Sequence, residues 1–557
     1  MPLSQPLPDD THVSLNPLVG LDLDEYLQSL GEICEHAATH PLELAQHIST
    51  LLTDWCRALL GETNSAPGTE DRRFVEPAWH EELIFRTELQ CYLAWTRAIN
   101  GLIDGIPADN EHRQQLRFVA NALTAALAPS NFWATNPVAL KQAIATGGLS
   151  LWAGWNNFLH DLVTNHGLPA QVEKSSLRIG ENMAASRGKV VCKTDLFELI
   201  EYAPLTPRIY ERPQLLIPPV VNKFYLLDLA PEQSMVEFLL DSQFHTFSIA
   251  WRNPSPEHRD WGLDQYVNGI LEALHAVLSI TGSADVNLHG ICGGARLMAA
   301  LLGYLAATKQ QTLIHSASII AVNLITDETA HGLFASPAAM ERARQKSQAA
   351  GVLDGKEIVN AFNWIQPNDL IWKYWINNYL LGHPPPSSEI FYWSSDCTRL
   401  PARLHADLLR LYAGNLFTRP GELTVLGKPI DLAQVDREKF VVAGTRDHIS
   451  PWPHVYRSAR LFGGPLEFVL NYGGHVPTIV NPPTNTRARY IVNPDADTEI
   501  EVHDWARQGE LIGGSWWLHW RTWIAHRSGK LISAPVTQGN RLFPPLSEAP
   551  GNYVHEP

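Results

Sequence analysis

The sequence predicts an α/β fold, a mostly parallel sheet flanked by helices, with a helical N-terminal domain ahead of it and a lid insertion within it. Three observations carry the prediction. From about residue 190 onward, short apolar and partly β-branched runs alternate with helical segments, the pattern of a parallel sheet covered on both faces. Before that point, apolar residues recur at three- and four-residue steps with little alternation, the spacing of amphipathic helices. Between Asp285 and Leu302, an apolar run enters a Gly-x-Cys-x-Gly turn and an Ala/Leu-rich run of helical spacing leaves it.

In chain order, residues 1–195 form the helical domain. Helices are expected over Leu42 to Leu60, Glu81 to Ile103 and Gln114 to Leu127, with breaks where Pro and Asn cluster, as in Ala128-Pro129-Ser130-Asn131 and Thr135-Asn136-Pro137. No acid, base and nucleophile set is recognisable here, so packing, oligomer contacts or attachment to a surface are the expected roles. Residues 196–557 form the second domain. The strand runs are Val190-Val191-Cys192, Leu215 to Ile217, Thr246 to Trp251, Val286 to Leu288, Ser318 to Val322 and Phe440 to Ala443. Over a hundred residues separate Val322 from Phe440, more than one crossover helix needs, so an insertion over about 325–435 is expected to cover the sheet. Its Trp364, Trp372, Tyr374, Trp375, Tyr379, Tyr392 and Trp393 either line an acyl site or, for most of them, form the insertion's own core.

Composition excludes several functions. The 557 residues carry a net charge of −16, from 42 basic and 58 acidic side chains, without a long basic run; nucleic-acid binding is therefore not expected. Met1 to Asp10 lacks the basic and apolar regions of a signal peptide, and no uncharged apolar stretch approaches the roughly 20 residues of a membrane span. A cytoplasmic protein is expected. Six cysteines are scattered without a CxxC pair, which suggests neither a disulfide framework nor a metal site.

The Gly-x-Cys-x-Gly turn matches the nucleophile elbow of α/β-hydrolase folds, where a strained residue at the strand-to-helix corner holds its reactive atom above the sheet. Cys292 stands where Ser is usual. Gly290, Gly293 and Gly294 are read as positions where a side chain would collide with the neighbouring strand and helix. The Gly293 N–H, at the helix start, is placed to face a developing oxyanion. A second donor is sought in the loop Pro218-Pro219-Val220-Val221-Asn222 after a strand; the prolines lack an N–H, and of the amides of Val220 to Asn222 that of Val221 is taken forward. The fold orders its set as nucleophile, acid, base. Asp447 follows the run Phe440 to Ala443, and His475 follows Phe468 to Asn471 in what is expected to be a loop after the last strand. Singly, Cys292 reads as a buried thiol and His475 as a structural histidine; together and in order, Cys292, Asp447 and His475 read as a catalytic set.

Further motifs carry a resemblance. The chain is similar from end to end to the polyhydroxyalkanoate synthases, especially the class II, medium-chain-length type. The likeness lies in Asp71-Arg72-Arg73-Phe74, Pro77-Ala78-Trp79, Asn222-Lys223-Phe224-Tyr225, Trp251-Arg252-Asn253-Pro254, Pro367-Asn368-Asp369-Leu370-Ile371-Trp372 and Ser515-Trp516-Trp517 with Trp520, among others. The resemblance implies polymerisation of (R)-3-hydroxyacyl-CoA into polyester with release of CoA. It also implies an enzyme acting on an intracellular granule as a homodimer, among granule-associated proteins, with Cys292, Asp447 and His475 as nucleophile, acid and base. No cofactor is implied, CoA being part of the substrate and a released product. Asp447 is further expected to help activate the 3-hydroxyl. Ala295 and Arg296 depart from the family's elbow, and Gly473-Gly474 from the residues before its histidine. The alternatives are a thioesterase or lipase-like hydrolase, and a catalytically silent granule partner.

Overall fold

The computed structural model describes residues 15–68, 71–165, 167–326, 332–494 and 500–557. Among them one sheet has eleven strands: β1 (Gly188–Lys193), β2 (Phe197–Tyr202), β3 (Gln214–Ile217), β4 (Thr246–Trp251), β5 (Val286–Ile291), β6 (Ile314–Ile320), β7 (Glu438–Gly444), β8 (Leu466–Asn471), β9 (Arg489–Val492), β10 (Glu510–Gly513) and β11 (Ser547–Glu548). Their spatial order is β10-β9-β8-β7-β6-β5-β3-β4-β2-β1-β11. The centre, β8 through β4, is parallel. Both flanks are antiparallel. Because β1 belongs to this sheet, the sheet begins ahead of the expected boundary at residue 195.

Two strand expectations change for physical reasons. The run after Ile314 ends at Ile320 rather than Val322, since Ala321 takes a φ of 54° and leaves the extended region. Strand β2 went unrecognised in the sequence because Glu198 and Glu201 alternate with its apolar residues, although the whole strand is buried. Their carboxylates are met from far along the chain: Glu198 accepts from Lys193 Nζ at 2.8 Å and from the Asn552 and Tyr553 amides. Glu201 pairs with His245 at 2.8 Å and accepts from the Gly539 amide. A buried charge survives only when it is partnered in this way.

One face of the sheet is covered by the helices Leu263–Thr281 and Gly293–Ala307, whose Leu, Ala and Val side chains merge with the inner residues of β3, β4 and β5. The other face is covered by the helix Trp516–Ala525, with Trp516, Trp517 and Trp520 fully buried. Buried indoles need acceptors. Trp516 donates to the Thr478 carbonyl at 2.9 Å, Trp517 to Ile479 at 3.2 Å and Trp520 to Ser318 Oγ at 2.9 Å.

Of the N-terminal helices, Pro41–Leu59, Leu83–Asp104 and Asn110–Ala126 overlap the three expected spans, while Leu23–Thr39 and Leu149–Thr164 had no span assigned from the sequence. Two of these helices have side-chain caps, Asp22 accepting from the Glu25 amide at the start of Leu23–Thr39 and Asp109 from that of His112 at the start of Asn110–Ala126. The helix expected from Glu81 begins at Leu83, because Glu82 is extended. No helix among the described residues is long and apolar enough to cross a membrane.

The helix Leu149–Thr164 docks on the insertion. Tyr379 Oη donates to buried Asp161 at 2.8 Å, and Asn157 Nδ2 donates to the Asn378 carbonyl at 2.9 Å. Gly154 makes this approach possible: a Cβ there would lie 1.9 Å from the Tyr379 carbonyl oxygen. Helix propensity alone makes Gly→Ala stabilising by about 1 kcal/mol, but a methyl driven into backbone costs about 1–3 kcal/mol. Gly154→Ala should therefore lower the thermal unfolding midpoint and expose the insertion to limited proteolysis. A higher midpoint with unchanged digestion would show that the docking does not depend on this contact.

Candidate active site

Cys292 sits at the end of β5 with φ 51° and ψ −127°, a conformation that a non-glycine residue holds only when its surroundings enforce it. The enforcement is visible. The Cys292 amide donates to the Ile320 carbonyl at 2.9 Å, and the Cys292 carbonyl accepts from the Ala295 amide at 3.0 Å. A Cβ at Gly294 would lie 2.3 Å from the carbonyl oxygens of both Ile217 and Pro218, and one at Gly290 would lie 2.6 Å from Ala295 Cα. Those two glycines are steric requirements. Gly293 is not, since a Cβ there would meet Val220 Cγ2 at an ordinary 3.5 Å, which corrects the expected collision at that position.

The loops after β7 and β8 bring the other two groups to the sulfur. Backbone bonds stitch them together, Thr445 N to the Asn471 carbonyl at 2.9 Å and Arg446 N to the Gly473 carbonyl at 2.9 Å. Gly444 is needed there, because a Cβ would lie 2.4 Å from Thr478 Oγ1 and 2.7 Å from the Gly473 carbonyl oxygen. His475 opens the short helix His475–Ile479; it lies in neither a loop nor the segment after the last strand, since β9 and β10 follow in antiparallel pairing. Trp516 and Trp517 grip that helix through the Thr478 and Ile479 carbonyls.

The three side chains form one chain of contacts. His475 Nε2 lies 3.2 Å from Cys292 Sγ, and His475 Nδ1 lies 2.8 Å from Asp447 Oδ2. Asp447 Oδ1 accepts from the Ile449 and Ser450 amides at 2.9 and 2.8 Å. Burial pushes the Cys292 thiol up, but charged His475, the Gly293 N–H and the Arg296 guanidinium outweigh it and hold the thiol below its usual range. Burial pulls His475 down, but the Asp447 carboxylate and the Cys292 thiolate outweigh it and hold the imidazole well above its usual range. The pair therefore favours thiolate and imidazolium, a nucleophile ready to attack an acyl carbon.

Two neighbours were not assigned from the sequence alone. Arg296, a departure noted above, is buried; its Nη2 donates to the Asn323 carbonyl at 2.9 Å and to Tyr412 Oη at 3.1 Å. Val220 approaches the elbow: its amide nitrogen lies 3.7 Å from where a Gly293 Cβ would be, and no atom of Val221 comes within 4 Å of that point. Val220, one of the three loop amides considered from the sequence, is thus the loop residue nearest this point. Among the described residues no cluster of His, Cys, Asp and Glu is arranged to hold a metal ion.

Comparison with known proteins places this site in a family. A family model described as the N-terminus of poly-beta-hydroxybutyrate polymerase matches residues 70–239, and one described as the α/β-hydrolase fold matches residues 227–482. The poly(3-hydroxyalkanoate) polymerase 1 of Ectopseudomonas oleovorans is 42% identical over 98% of this chain and 97% of its own length. Polymerase 2 of the same organism is 43% identical over 97% of this chain and 96% of its own length. The chain belongs to the poly(3-hydroxyalkanoate) polymerases. A solved thermophilic esterase from Thermogutta terrifontis is 16% identical, covers 53% of this chain and 93% of its own, and superposes with a TM-score of 0.31. As a polymerase of this family the chain is an enzyme, with an α/β-hydrolase fold whose elbow carries cysteine.

The thiolate–imidazolium balance predicts a pH profile. A depressed thiol pKa means that thiolate persists as pH falls below the ordinary thiol range and is lost only when pH falls through the depressed value. Iodoacetamide should therefore alkylate Cys292 rapidly at neutral pH and lose rate only in acid, followed by peptide mapping because Cys34 and Cys56 are exposed. His475→Gln should move the midpoint upward, toward the ordinary thiol range. A wild-type midpoint at or above that range would contradict the ion pair.

Proposed function

We propose that this polymerase links (R)-3-hydroxyacyl groups of medium chain length into polyester, taking them from CoA thioesters through a covalent thioester on Cys292. The carrying observation is the unbroken line from Cys292 Sγ through His475 to Asp447 in a chain that belongs to the polymerase family. Medium chain length rests on the class II resemblance of the motifs.

In this reading the Cys292 thiolate, its proton held on His475 Nε2, attacks the thioester carbonyl. The oxyanion is met by the Gly293 and Val220 amides. Collapse expels CoA thiolate, which His475 protonates. One thioester has replaced another, so the acyl group keeps its reactivity. A 3-hydroxyl then gives its proton to His475 and attacks the acyl-cysteine, forming an oxoester and expelling the Cys292 thiolate, which restores the thiolate–imidazolium pair. Asp447 acts through His475 rather than on the hydroxyl, because one of its oxygens holds the imidazole and the other is occupied by two backbone amides.

The helix Leu149–Thr164 supports attachment to the polyester. It exposes Leu149, Trp152, Trp155, Leu162 and Val163, a row of large apolar side chains on a protein with few reasons to wet them. Granule-surface location, homodimer formation and the division into an attachment domain, a catalytic domain and a lid belong to the same reading.

With purified protein and a medium-chain (R)-3-hydroxyacyl-CoA, insoluble polyester should form with stoichiometric CoA release, and Cys292→Ala should abolish both without unfolding the protein. Free hydroxy acid in place of polyester would make it a hydrolase, and no CoA release a silent partner.

Replacing Asp447 by Asn should separate the two half-reactions. Thiols are more acidic than alcohols, so Cys292 needs less help than the 3-hydroxyl. Multiple-turnover CoA release should fall by about a hundredfold or more, while single-turnover labelling still traps acyl-enzyme at Cys292. Equal loss of both steps would mean that the carboxylate serves acylation and elongation alike.

A further inference from the structure

Arg296 stands in the first turn of the helix Gly293–Ala307, four residues past Cys292. Side chains on a helix lean toward its N-terminus, so this one leans back toward the elbow. The position is costly for a cation on two counts. A helix start carries partial positive charge and favours anions. The side chain is also buried, at 9% exposure, where a charge needs compensation.

The contacts that hold the guanidinium are neutral. Nη2 donates to the Asn323 carbonyl just past β6 and to Tyr412 Oη of the insertion, and the guanidinium carbon lies 4.8 Å from the centroid of the Tyr412 ring. Among the described residues no carboxylate pairs with it. These dipoles and the ring face fix where the guanidinium sits without cancelling its charge. The anion that its field reaches is the Cys292 thiolate. The other full charge at the sulfur is the His475 imidazolium at 3.2 Å, with Asp447 behind it at 2.8 Å from Nδ1.

The two cations differ in what turnover does to them. His475 takes up and gives up a proton in each transfer, whereas a guanidinium keeps its charge. In the acyl-enzyme the sulfur is a neutral thioester. As a 3-hydroxyl attacks, its proton passes to His475, the new C–O bond forms and the electron pair of the breaking C–S bond goes to Sγ. A fixed positive charge already in place stabilises that departing sulfur, and a thiol of lower pKa leaves faster.

We propose that Arg296 is a positioning residue that acts through Cys292: aimed by the Asn323 carbonyl and by Tyr412 of the insertion, its permanent charge favours the thiolate independently of His475 and makes the sulfur a better leaving group in elongation. The leaving-group part rests on the polymerase reading above, and the charge part does not. The insertion thereby reaches the nucleophile through Tyr412.

The test reads the pH midpoint of Cys292 alkylation by iodoacetamide in full-length protein, followed by peptide mapping, and needs no acyl-CoA turnover. Arg296→Met should raise the midpoint by about 0.5–1 pH unit, and Arg296→Lys, which keeps the charge, by less. Added to His475→Gln, Arg296→Met should raise it further. An unchanged midpoint in folded Arg296→Met, or an equal rise with Lys, would make Arg296 a packing residue and overturn the proposal. If Arg296→Met does not fold, Tyr412→Leu decides, since it strips the hydroxyl and the ring from the guanidinium: a raised midpoint upholds the role and an unchanged one overturns it. With an (R)-3-hydroxyacyl-CoA, Arg296→Met should slow multiple-turnover CoA release by about 3- to 10-fold more than single-turnover labelling of Cys292, because a more basic sulfur leaves more slowly but attacks more readily. Equal slowing of both would overturn the leaving-group role. If wild-type protein releases no CoA, the polymerase reading fails separately and the alkylation midpoints still decide the charge role.

Discussion

The left-handed backbone of Cys292 is the constraint on which the rest of the site depends. At φ 51° and ψ −127° the residue lifts its sulfur clear of the strand, and no local preference of cysteine favours that conformation. It is held from both sides, by β6 through the Ile320 carbonyl and by the close seating of the helix Gly293–Ala307. That seating exists only because Gly294 lets the helix start beneath the Ile217 and Pro218 carbonyls. The same closeness brings the Gly293 amide to the sulfur and Val220 to the elbow.

Base and acid reach the sulfur through a second rigid device. Parallel strands β7 and β8 end side by side, so their following loops pair through backbone bonds and carry Asp447 and His475 as one piece. The tryptophans of the helix Trp516–Ala525 anchor that piece from below by donating to the His475 helix carbonyls. Part of the chain's heavy use of tryptophan is thus structural, the Trp516 and Trp517 indoles fixing carbonyls of the helix that carries His475. A preorganised imidazole and a low-pKa thiol suit thioester exchange, where leaving and attacking groups are both sulfur.

The N-terminal region and the insertion are tied to each other as closely as each is to the sheet. Trp375 Nε1 donates to the Asn131 carbonyl at 3.0 Å, and Trp393 Nε1 donates to the Lys223 carbonyl at 2.8 Å. Tyr374, Tyr379 and Trp393 are buried, Tyr374 against Phe391, Tyr379 against Phe158 and Trp393 within the core under the sheet. Lys223 in turn donates to the Val554 carbonyl at 2.7 Å, and Asn253 Nδ2 to the Pro557 carbonyl at 2.8 Å. Lys223 and Asn253 therefore hold residues 553–557 against the loops after β3 and β4.

By itself the sequence determined what short-range physics encodes. Short apolar, partly β-branched runs marked the central strands, period-3.6 apolar spacing marked three N-terminal helices, and Gly290 and Gly294 marked a turn that admits no side chain. The order Cys292, Asp447, His475 followed from where strands end. Tertiary structure alone decided what depends on partners remote in the chain. Glu198 and Glu201 hid β2 because their burial requires Tyr553 and His245. The close approach of Val220 to Gly293 is set by the seating of the helix against the loop after β3, which strand spacing does not resolve. Arg296 sits one helical turn from the thiol by sequence, but its partners, the Asn323 carbonyl and Tyr412 Oη, were set by packing. Periodicity reports which face of an element turns inward, but the polar group that meets a buried side chain is set by the packing of whole elements.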